Sequence, residues 1–428
     1  MKSEIRERIG QVNKRQVPQG YKKTKMGIIP YIWEIKSIKD VANVSSGATP
    51  SRAKDNYWNG DIPWVTTGEL FQQVIISTKE HISKEAFSNT NLKLYPKNTL
   101  IIAMYGQGKT RGTIAILKIP STINQACCAI NLHDDYSYKF LFYQLQHSYH
   151  HIRTLSNTGN QENLNANIIK NYNVIIPPLL EQEKISKILS TQDKAIELKE
   201  KLIKEKQKQK KYLMQNLLTG KIRLKGFTSE WKKYVMGSLG NTYSGLSGKN
   251  KDDFGKGKPY IPYTNIFLNP IIDVNELGYV DVLENEKQSK VCYGDIFFTT
   301  SSETPEEVGM SSVLLENVDE LYLNSFCFGF RLNNFSVLSP IYASHYFRGD
   351  TFRNILNRLA QGVTRFNLSK NNLLKSILLL PPLEEQKAIT EILSTQDKEI
   401  KLLQKELEEE KQKKKALMQL LLTGIVRV

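Results

Sequence analysis

The chain has 428 residues, 40% of them hydrophobic, which is enough for two to four domains that each bury a core. Its net charge of +16 favours an anionic partner, most often nucleic acid. No apolar run approaches the roughly 20 residues of a membrane span, and the four cysteines form no CxxC pair, so we expect no membrane partner, no disulfide framework and no metal site. The first sixteen residues lack the apolar core of a signal peptide, which predicts a cytoplasmic protein.

The first globular region covers residues 27–176, after an N-terminal segment of residues 1–26. Its runs NTLIIAMYG, GTIAILKI and NYNVII are rich in β-branched residues and lie between turn-forming residues, so they predict strands. The stretch YSYKFLFYQLQHSYHHIRTL predicts a helix with an aromatic face. Strands and helices mixed in this way indicate an α/β domain.

A long helix is predicted over residues 177–220. It opens with a Pro-Pro pair, which the first turn of a helix tolerates, and it ends at Gly220, a residue type common at helix C-termini. No other Gly or Pro interrupts it. From Glu181 to Leu217 it would be about 55 Å long at roughly 1.5 Å per residue.

The second globular region covers residues 221–380 and, like the first, contains predicted strands and a predicted aromatic helix. GDIFFTTSS, SSVLLENV and LKSILLL predict strands, and SPIYASHYFRGDTFRNILNRLA predicts a helix. A second long helix follows over residues 381–428, with Gly424 near its end.

The two long helices are copies of one segment. PPLLEQEKISKILSTQDK begins at Pro177 and PPLEEQKAITEILSTQDK begins at Pro381, and 27 of the 48 positions from each proline onward are identical. Only scattered positions of the globular regions repeat, among them Trp33 as Trp231 and Gly47 as Gly245. This internal repeat predicts an α/β (α+β) fold with pseudo-twofold symmetry, in which two globular domains alternate with two long helices.

An apolar stripe at coiled-coil spacing runs along each helix. The predicted seam residues are Ile185, Leu189, Ile196, Ile203, Leu213, Leu217, Ile389, Leu393, Ile400, Leu407, Leu417 and Leu421. Each helix could pack on its own globular domain, or the two could pack on each other. Matching polar seam residues, Gln192 with Gln396 and Lys210 with Lys414, favour antiparallel packing of the helices on each other, because such residues fix register.

The sequence shows no catalytic site. GQGKT at Gly106–Thr110 resembles a phosphate-binding loop, but Ala103 stands where that motif needs its first glycine. His147 and His151 lie one helical turn apart, yet no carboxylate motif accompanies them, so we interpret them as surface or packing residues rather than metal ligands.

Polar loops between the predicted strands have a composition that suits DNA binding better than catalysis. Lys and Arg neutralise phosphates, while Arg, Asn and Gln hydrogen-bond to purine edges. Any one of these loops could be an ordinary polar turn, but the set on so basic a chain favours DNA. The candidate DNA-binding residues are Thr66, Thr67, Gln107, Lys109, Thr110, Arg111, Gln161, Thr300, Ser301, Ser302, Gln361, Arg365 and Asn367.

The chain resembles the specificity subunit of type I restriction–modification enzymes over essentially its whole length. The motifs that carry the resemblance are PPLLEQEKISKIL, PPLEEQKAITEIL, the two LLTG endings, GYKKTKMGIIPYIW, YGQGKTRGT and FTTSSETPEEVGMSSV. The resemblance implies two target recognition domains, each reading one half of a bipartite site on double-stranded DNA, separated by conserved antiparallel helical spacers. It also implies two modification subunits and restriction subunits as partners, with S-adenosylmethionine, ATP and Mg²⁺ in those partners and no cofactor here.

Two target recognition domains separated by such helices would contact one face of DNA about one helical turn apart, roughly 34–36 Å. One alternative is a coiled-coil scaffold that joins two protein-binding domains and does not bind DNA. Binding to duplex DNA that falls steeply with added salt would exclude it. A self-sufficient methyltransferase or nuclease is the other alternative, and the absence of catalytic motifs disfavours it.

Overall fold

The chain folds as two compact units. A computed structural model describes residues 2–106, 108–156 and 163–428. The first unit is Met1–Lys199 with Glu406–Val428, and the second is Glu200–Lys405. Each unit therefore contains one globular region and a part of both long helices.

The first unit begins with helix α1 (Lys2–Asn13) and contains twelve short strands among the described residues. The strands are β1 (Tyr21–Thr24), β2 (Gly27–Pro30), β3 (Glu34–Ser37), β4 (Ala42–Ser46), β5 (Ile62–Val65), β6 (Val74–Ile75), β7 (Glu80–Ile82), β8 (Leu100–Ala103), β9 (Ile114–Leu117), β10 (Thr122–Ile123), β11 (Cys127–Leu132) and β12 (Asn173–Ile176). The other helices are α2 (Ile38–Val41), α3 (Lys84–Ser88), α4 (Tyr138–His147), α5 (Tyr149–Thr154) and α6 (Ala166–Lys170), and the long α7 (Leu179–Leu217) begins in this unit.

The main sheet of the first unit has the strand order β4-β11-β8-β9-β6. Its central strands pair antiparallel, and only β6 runs parallel to its neighbour β9. Leu100 and Ile102 of β8 face one apolar core, while Ile101 and Ala103 face another. Because successive side chains of a strand point to opposite faces, a sheet buried on both sides explains the uninterrupted apolar runs in the sequence.

The second unit repeats this plan. Its strands are β13 (Lys232–Val235), β14 (Gly240–Ser244), β15 (Phe254–Ile261), β16 (Gly278–Val280), β17 (Ile296–Thr299), β18 (Ser301–Ser302), β19 (Ser311–Val313), β20 (Tyr322–Leu323), β21 (Cys327–Leu332), β22 (Ala360–Gln361), β23 (Phe366–Leu368) and β24 (Ile377–Leu380). Its helices are α8 (Met236–Leu239), α9 (Tyr263–Leu268), α10 (Pro340–Tyr346), α11 (Asp350–Leu359), α12 (Lys370–Leu374) and the long α13 (Leu383–Leu422).

The main sheet of the second unit has the order β14-β21-β17-β19, which matches β4-β11-β8-β9 of the first. Phe298 packs into one core and its neighbour Phe297 into another, so this sheet is also buried on both faces. The predicted strands and the predicted α/β class are thus confirmed. Each of the two predicted aromatic helices is instead divided into two shorter helices, α4 with α5 and α10 with α11. The first division occurs at Ser148, which ends α4 and begins α5. The second occurs near Gly349, which lies immediately before α11.

The two long helices pair antiparallel within each unit. In the first unit Asp193 of α7 pairs with Lys414 of α13 at 2.6 Å, and Lys199 pairs with Glu406 at 2.8 Å. In the second unit Lys206 pairs with Glu399 at 2.7 Å, and Lys210 pairs with Asp397. The partner's number falls as the number along α7 rises, which confirms the predicted antiparallel packing.

The seam residues also pack on the globular regions, so both predicted kinds of packing occur together. Ile185, Leu189 and Leu421 belong to the core of the first unit, and Leu417 packs against it. Leu217, Ile389 and Leu393 belong to the core of the second unit, and Leu213 packs against it. Ile203 and Ile400 are buried as well, whereas Ile196 and Leu407 are only half-buried.

A buried glutamate anchors the start of each long helix to a tryptophan and an arginine. The Glu181 carboxylate accepts hydrogen bonds from Trp33 Nε1 at 2.9 Å and from Arg427 Nη2 at 2.7 Å. Its counterpart Glu385 accepts from Trp231 Nε1 at 3.1 Å and from Arg223 Nη2 at 2.7 Å. We call these two groups the first node, Trp33–Glu181–Arg427, and the second node, Trp231–Glu385–Arg223. A carboxylate in the first turn also interacts favourably with the helix dipole.

The glutamine after each of these glutamates connects the long helix to the aromatic helix. Gln182 accepts a hydrogen bond from Ser137 N at 2.9 Å and donates to Pro177 O at 2.8 Å. Gln386 accepts from Ser339 N at 2.9 Å and donates to Pro381 O at 2.9 Å. In both repeats the glutamine amide therefore joins the carbonyl of the first proline to the main chain at the start of the aromatic helix.

Candidate nucleic-acid interface

Two polar segments that are far apart in the sequence come together in each unit. In the first unit Leu164 N donates to Met104 O at 3.0 Å, which joins the segment before α6 to the loop after β8. In the second unit Leu368 N donates to Thr300 O at 2.9 Å, which joins the segment before α12 to the loop after β17. The same main-chain contact therefore joins the equivalent pair of segments in both units.

The six candidates of the second unit lie in or beside one small sheet with the order β18-β23-β22. Asn367 is the pairing partner of both Ser301 and Gln361 in this sheet. Thr300 precedes β18, and Arg365 lies on the turn between β22 and β23. Gly362 starts this turn with φ at 134°, a conformation that favours glycine. The structure therefore gathers Thr300, Ser301, Ser302, Gln361, Arg365 and Asn367 into one place.

A groove beside this sheet, which we call the second-unit groove, combines aromatic, basic and acidic side chains. Its lining residues are Tyr263, Phe267, Ser301, Ser302, Glu303, Glu307, Phe326 and Arg365. Tyr263 stacks on Phe267 with ring centroids 5.9 Å apart, and Tyr263 Oη donates to Ser301 O at 3.2 Å. Burial raises the pKa of Tyr263, the charge of Glu307 raises it further, and the charge of Arg365 opposes both.

The candidates of the first unit are less exposed than the sequence predicts. Thr66 donates its hydroxyl to the Glu69 carboxylate at 2.9 Å, and that carboxylate also accepts from Thr66 N, so the threonine caps the short helix that follows. Thr67 and Thr110 are half-buried, and only 8% of Arg111 is exposed. Gln107 and Gln161 lie outside the described residues.

Lys109 is the exposed charged candidate of the first unit. It lines a groove with Phe71, Thr113, Tyr149, His150 and Arg153, and we call this the first-unit groove. The Tyr149 hydroxyl donates to Lys109 O at 2.7 Å, which fixes the main chain of the loop. Phe71 is 53% exposed at the rim. A cation beside aromatic rings is a combination that suits contact with phosphates and bases.

Two arginines that the sequence analysis missed hold the loops in place. Arg153 of α5 donates to Arg111 O at 2.7 Å. Arg353 of α11 donates to Gly309 O at 2.9 Å and to Val308 O at 2.7 Å, and burial lowers its pKa. The two arginines are 200 residues apart, as are Cys127 and Cys327 of the repeated strands, so comparing the repeats could have identified them.

The other sequence motifs do not form the sites they resemble. The phosphate-loop-like stretch leads through turns at residues 108–112 towards β9, whereas a phosphate-binding loop leads into a helix. His151 Nδ1 lies 3.2 Å from Tyr172 Oη. Among the described residues, no three His, Cys, Asp or Glu side chains cluster as metal ligands would, and no helix has the length and hydrophobicity to span a membrane.

The sequence matches the type I restriction modification DNA specificity domain twice, over residues 30–207 and 228–412. The chain belongs to this family. The resemblance deduced from the repeated PPLxEQ segments is confirmed, and each match contains one globular region and the start of its long helix. Members of the family are specificity subunits, and the catalytic activities of type I systems lie in other subunits.

Similar proteins support the same assignment. The MjaVIII specificity subunit of Methanocaldococcus jannaschii is 27% identical over 424 residues, which cover 94% of each chain. The MjaIX specificity subunit of the same organism is 32% identical over 186 residues, 42% of each chain. The crystal structure of the S subunit from M. genitalium has a TM-score of 0.54 and 16% identity, and the match covers 91% of this chain and 96% of that one. This last likeness concerns the fold.

Proposed function

We propose that this specificity subunit reads a bipartite, asymmetric DNA site, with the first unit on one half-site and the second unit on the other. The proposal rests on the repeated specificity domain. In each copy, the same main-chain hydrogen bond joins two polar segments that are far apart in the sequence. The net charge of +16 supplies the attraction to phosphates that makes such binding strong and dependent on salt.

The exposed candidate side chains of the two units fall into two groups, those that suit phosphates and those that suit base edges. Lys109 suits a phosphate, since an ammonium is a compact charge without a planar recognition edge. Arg365 and Asn367 suit base edges, because guanidinium and amide groups form paired hydrogen bonds with purines. Phosphate contacts fix the register of the protein on DNA, and base contacts select the sequence.

The partners in this proposal are two modification subunits and the restriction subunits of the system. The repeated specificity domain, with its repeated long helix, supports two equivalent places for one kind of partner. S-adenosylmethionine, ATP and Mg²⁺ belong to those partners. An adenine must leave the base stack to be methylated, and the partner's pocket has to accept it.

Methylation mapping tests the proposal directly. Methylated adenines are located in host DNA with and without this chain. Because the helices are alike while the loops differ, we expect a motif with two unlike halves that disappears without the chain. A palindromic motif that depends on this chain contradicts the proposal. For the chain in complex with its modification subunit, binding to duplex DNA should also fall steeply with added salt, and weak salt dependence would favour a protein scaffold instead.

We also propose that the paired helices set the spacing between the half-sites. Four residues inserted between Lys199 and Lys208, with four more between Leu403 and Gln412, add about 6 Å and roughly 1.1 helical turns, so the seam nearly keeps its register. The methylated motif should then gain roughly one to two base pairs of spacer, with both half-sites unchanged. Two-residue insertions at the same points are the control. They rotate the stripe by about 200° and should impair activity. An unchanged spacer in an active four-residue variant contradicts this role.

A further inference from the structure

The second-unit groove contains a guanidinium and a carboxylate near the same tyrosine. Both Arg365 and Glu307 line it, and both act electrostatically on the Tyr263 hydroxyl. Groups of opposite charge that line one groove can form an ion pair. Among the described residues, however, the Arg365 guanidinium makes no hydrogen bond or ion pair, and the Glu307 carboxylate accepts only one hydrogen bond, from Ser302 Oγ at 3.2 Å. Both groups are exposed and available to a ligand.

A carboxylate is an unusual group to find in a DNA-binding groove, because phosphates repel it. Three glutamates, Glu303, Glu306 and Glu307, are exposed on this one loop of a strongly basic chain. The base contact that a carboxylate usually makes in the major groove is to the N4 amino group of cytosine, from which it accepts a hydrogen bond. A guanidinium has the matching preference for O6 and N7 of guanine. One Arg and one Glu together therefore complement the whole major-groove edge of a G·C pair.

We infer that Arg365 and Glu307 jointly read one G·C base pair of the second half-site. The guanidinium donates to O6 and N7 of guanine, and the carboxylate accepts from N4 of cytosine. This inference rests on the proposed function, since it names the base pair that the second unit selects.

Contacts within the second unit hold Glu307 and its loop in position for this task. Ser302 is only 8% exposed and donates to one oxygen of Glu307, which leaves the other oxygen for the base. Arg353 fixes the main chain of the loop on either side of Glu307 by donating to Glu306 O and Val308 O. The stacked rings of Tyr263 and Phe267 line the same groove and give it an apolar side next to the charged groups.

The first-unit groove has no counterpart of this pair among its described residues. Its charged members are Lys109 and Arg153, with His150 beside them, and Arg153 already donates to Arg111 O. The inference therefore applies to one half-site only.

The test measures binding of the full chain, in complex with its modification subunit, to duplexes in which each base pair of the second half-site is replaced in turn. For Arg365→Ala and for Glu307→Ala, the preference for one G·C pair should fall by roughly 5- to 150-fold, at the same position in both variants. Both side chains are exposed, so neither change removes buried packing. Glu307→Gln keeps the acceptor for Ser302 and should relax the same position.

Glu306→Ala is the matched control. It removes the same charge from the same loop, but its side chain does not line the groove, so binding to all sequences should become slightly tighter with no change of preference. The inference is overturned if the two variants relax different positions, if the position is an A·T pair, if neither changes the preference, or if Glu303→Ala or Glu306→Ala has the effect expected of Glu307→Ala. Absence of any preference in the wild-type complex would instead reject the proposed function.

Discussion

The first and second units fix their long helices with the same side chains but present different ones to a ligand. Glu181 and Glu385 occupy equivalent positions and have equivalent tryptophan and arginine partners. The loops that follow β8 and β17 share a main-chain contact, yet the first carries an exposed lysine and the second carries three exposed glutamates. Repetition has thus kept the framework constant while the chemistry of the two grooves has become different.

A third equivalent position shows where a globular region has changed while its helix has not. In the first unit Tyr143 Oη donates to Asp193 at 2.6 Å, and Asp193 pairs with Lys414. In the second unit the same helix residues are Asp397 and Lys210, but the globular side chain is His345, with Nδ1 3.9 Å from the Asp397 carboxylate. This exchange of Tyr for His replaces a phenol, whose pKa burial raises above its ordinary value of 10, with an imidazole, whose pKa burial lowers from 6.5.

The largest effect on stability is expected when the glutamate of either node is replaced. Glu385→Ala leaves Arg223 and Trp231 without their shared acceptor at a place where the carboxylate is 1% exposed, so we expect a loss of about 3 kcal/mol in the free energy of unfolding. Glu181→Ala should cost about the same, since its contacts are equivalent. Denaturant unfolding of both variants checks this. A difference of more than about 2 kcal/mol between them would show that the framework is not held in the same way in both units.

The second expected effect is a pH dependence of stability that arises from His345 in the second unit. Burial lowers the pKa of His345 to about 4, the charge of Asp397 opposes this, and the charge of Lys210 supports it. Since the folded pKa lies below the ordinary value of 6.5, the stabilisation is complete above pH 6.5 and is lost as the pH falls towards 4. The loss should be at most about 3 kcal/mol.

His345→Gln is the control for this pH dependence, because glutamine does not titrate. Unfolding of the two proteins should be compared from pH 7 to pH 4. The difference in their stabilities should change only in that window, and Tyr143→Phe in the first unit should show no such change. Parallel pH curves for the wild type and His345→Gln would mean that His345 is not kept neutral by its surroundings.

A smaller effect is expected from the arginines that hold the loops. Arg353→Ala removes hydrogen bonds to three carbonyls, and we expect it to destabilise the second unit by about 2 kcal/mol. Arg153→Ala removes one carbonyl contact and a 3.1 Å hydrogen bond to Tyr149, and about 1 kcal/mol is expected. Thermal unfolding measures both, and lysine at either position controls for charge. Equal losses would show that the loops are held equally firmly.

Much of this framework was predictable from the sequence, because the repeat and the apolar spacing are local signals. The strands, the long helices and most seam residues followed from them. The TTGE stretch could also have been recognised as a capping box, in which the Thr66 hydroxyl donates to the Glu69 carboxylate rather than to DNA. The burial of Arg111 and the pairing of Ser301 with Asn367 depend on contacts between segments far apart in the chain, and local patterns contain no information about such contacts.

The central claim is that the two units read DNA independently of each other. Its most direct test is the methylated motif produced by Lys109→Ala and by Arg365→Ala, each expressed with the modification subunit. Arg365→Ala should make one position of one half-site degenerate, with the other half-site and the spacer unchanged. A base contact by Lys109 would make Lys109→Ala alter only the opposite half, and a phosphate contact would lower methylation without altering the motif. If either variant alters both half-sites, the two units do not read DNA independently and the account is wrong.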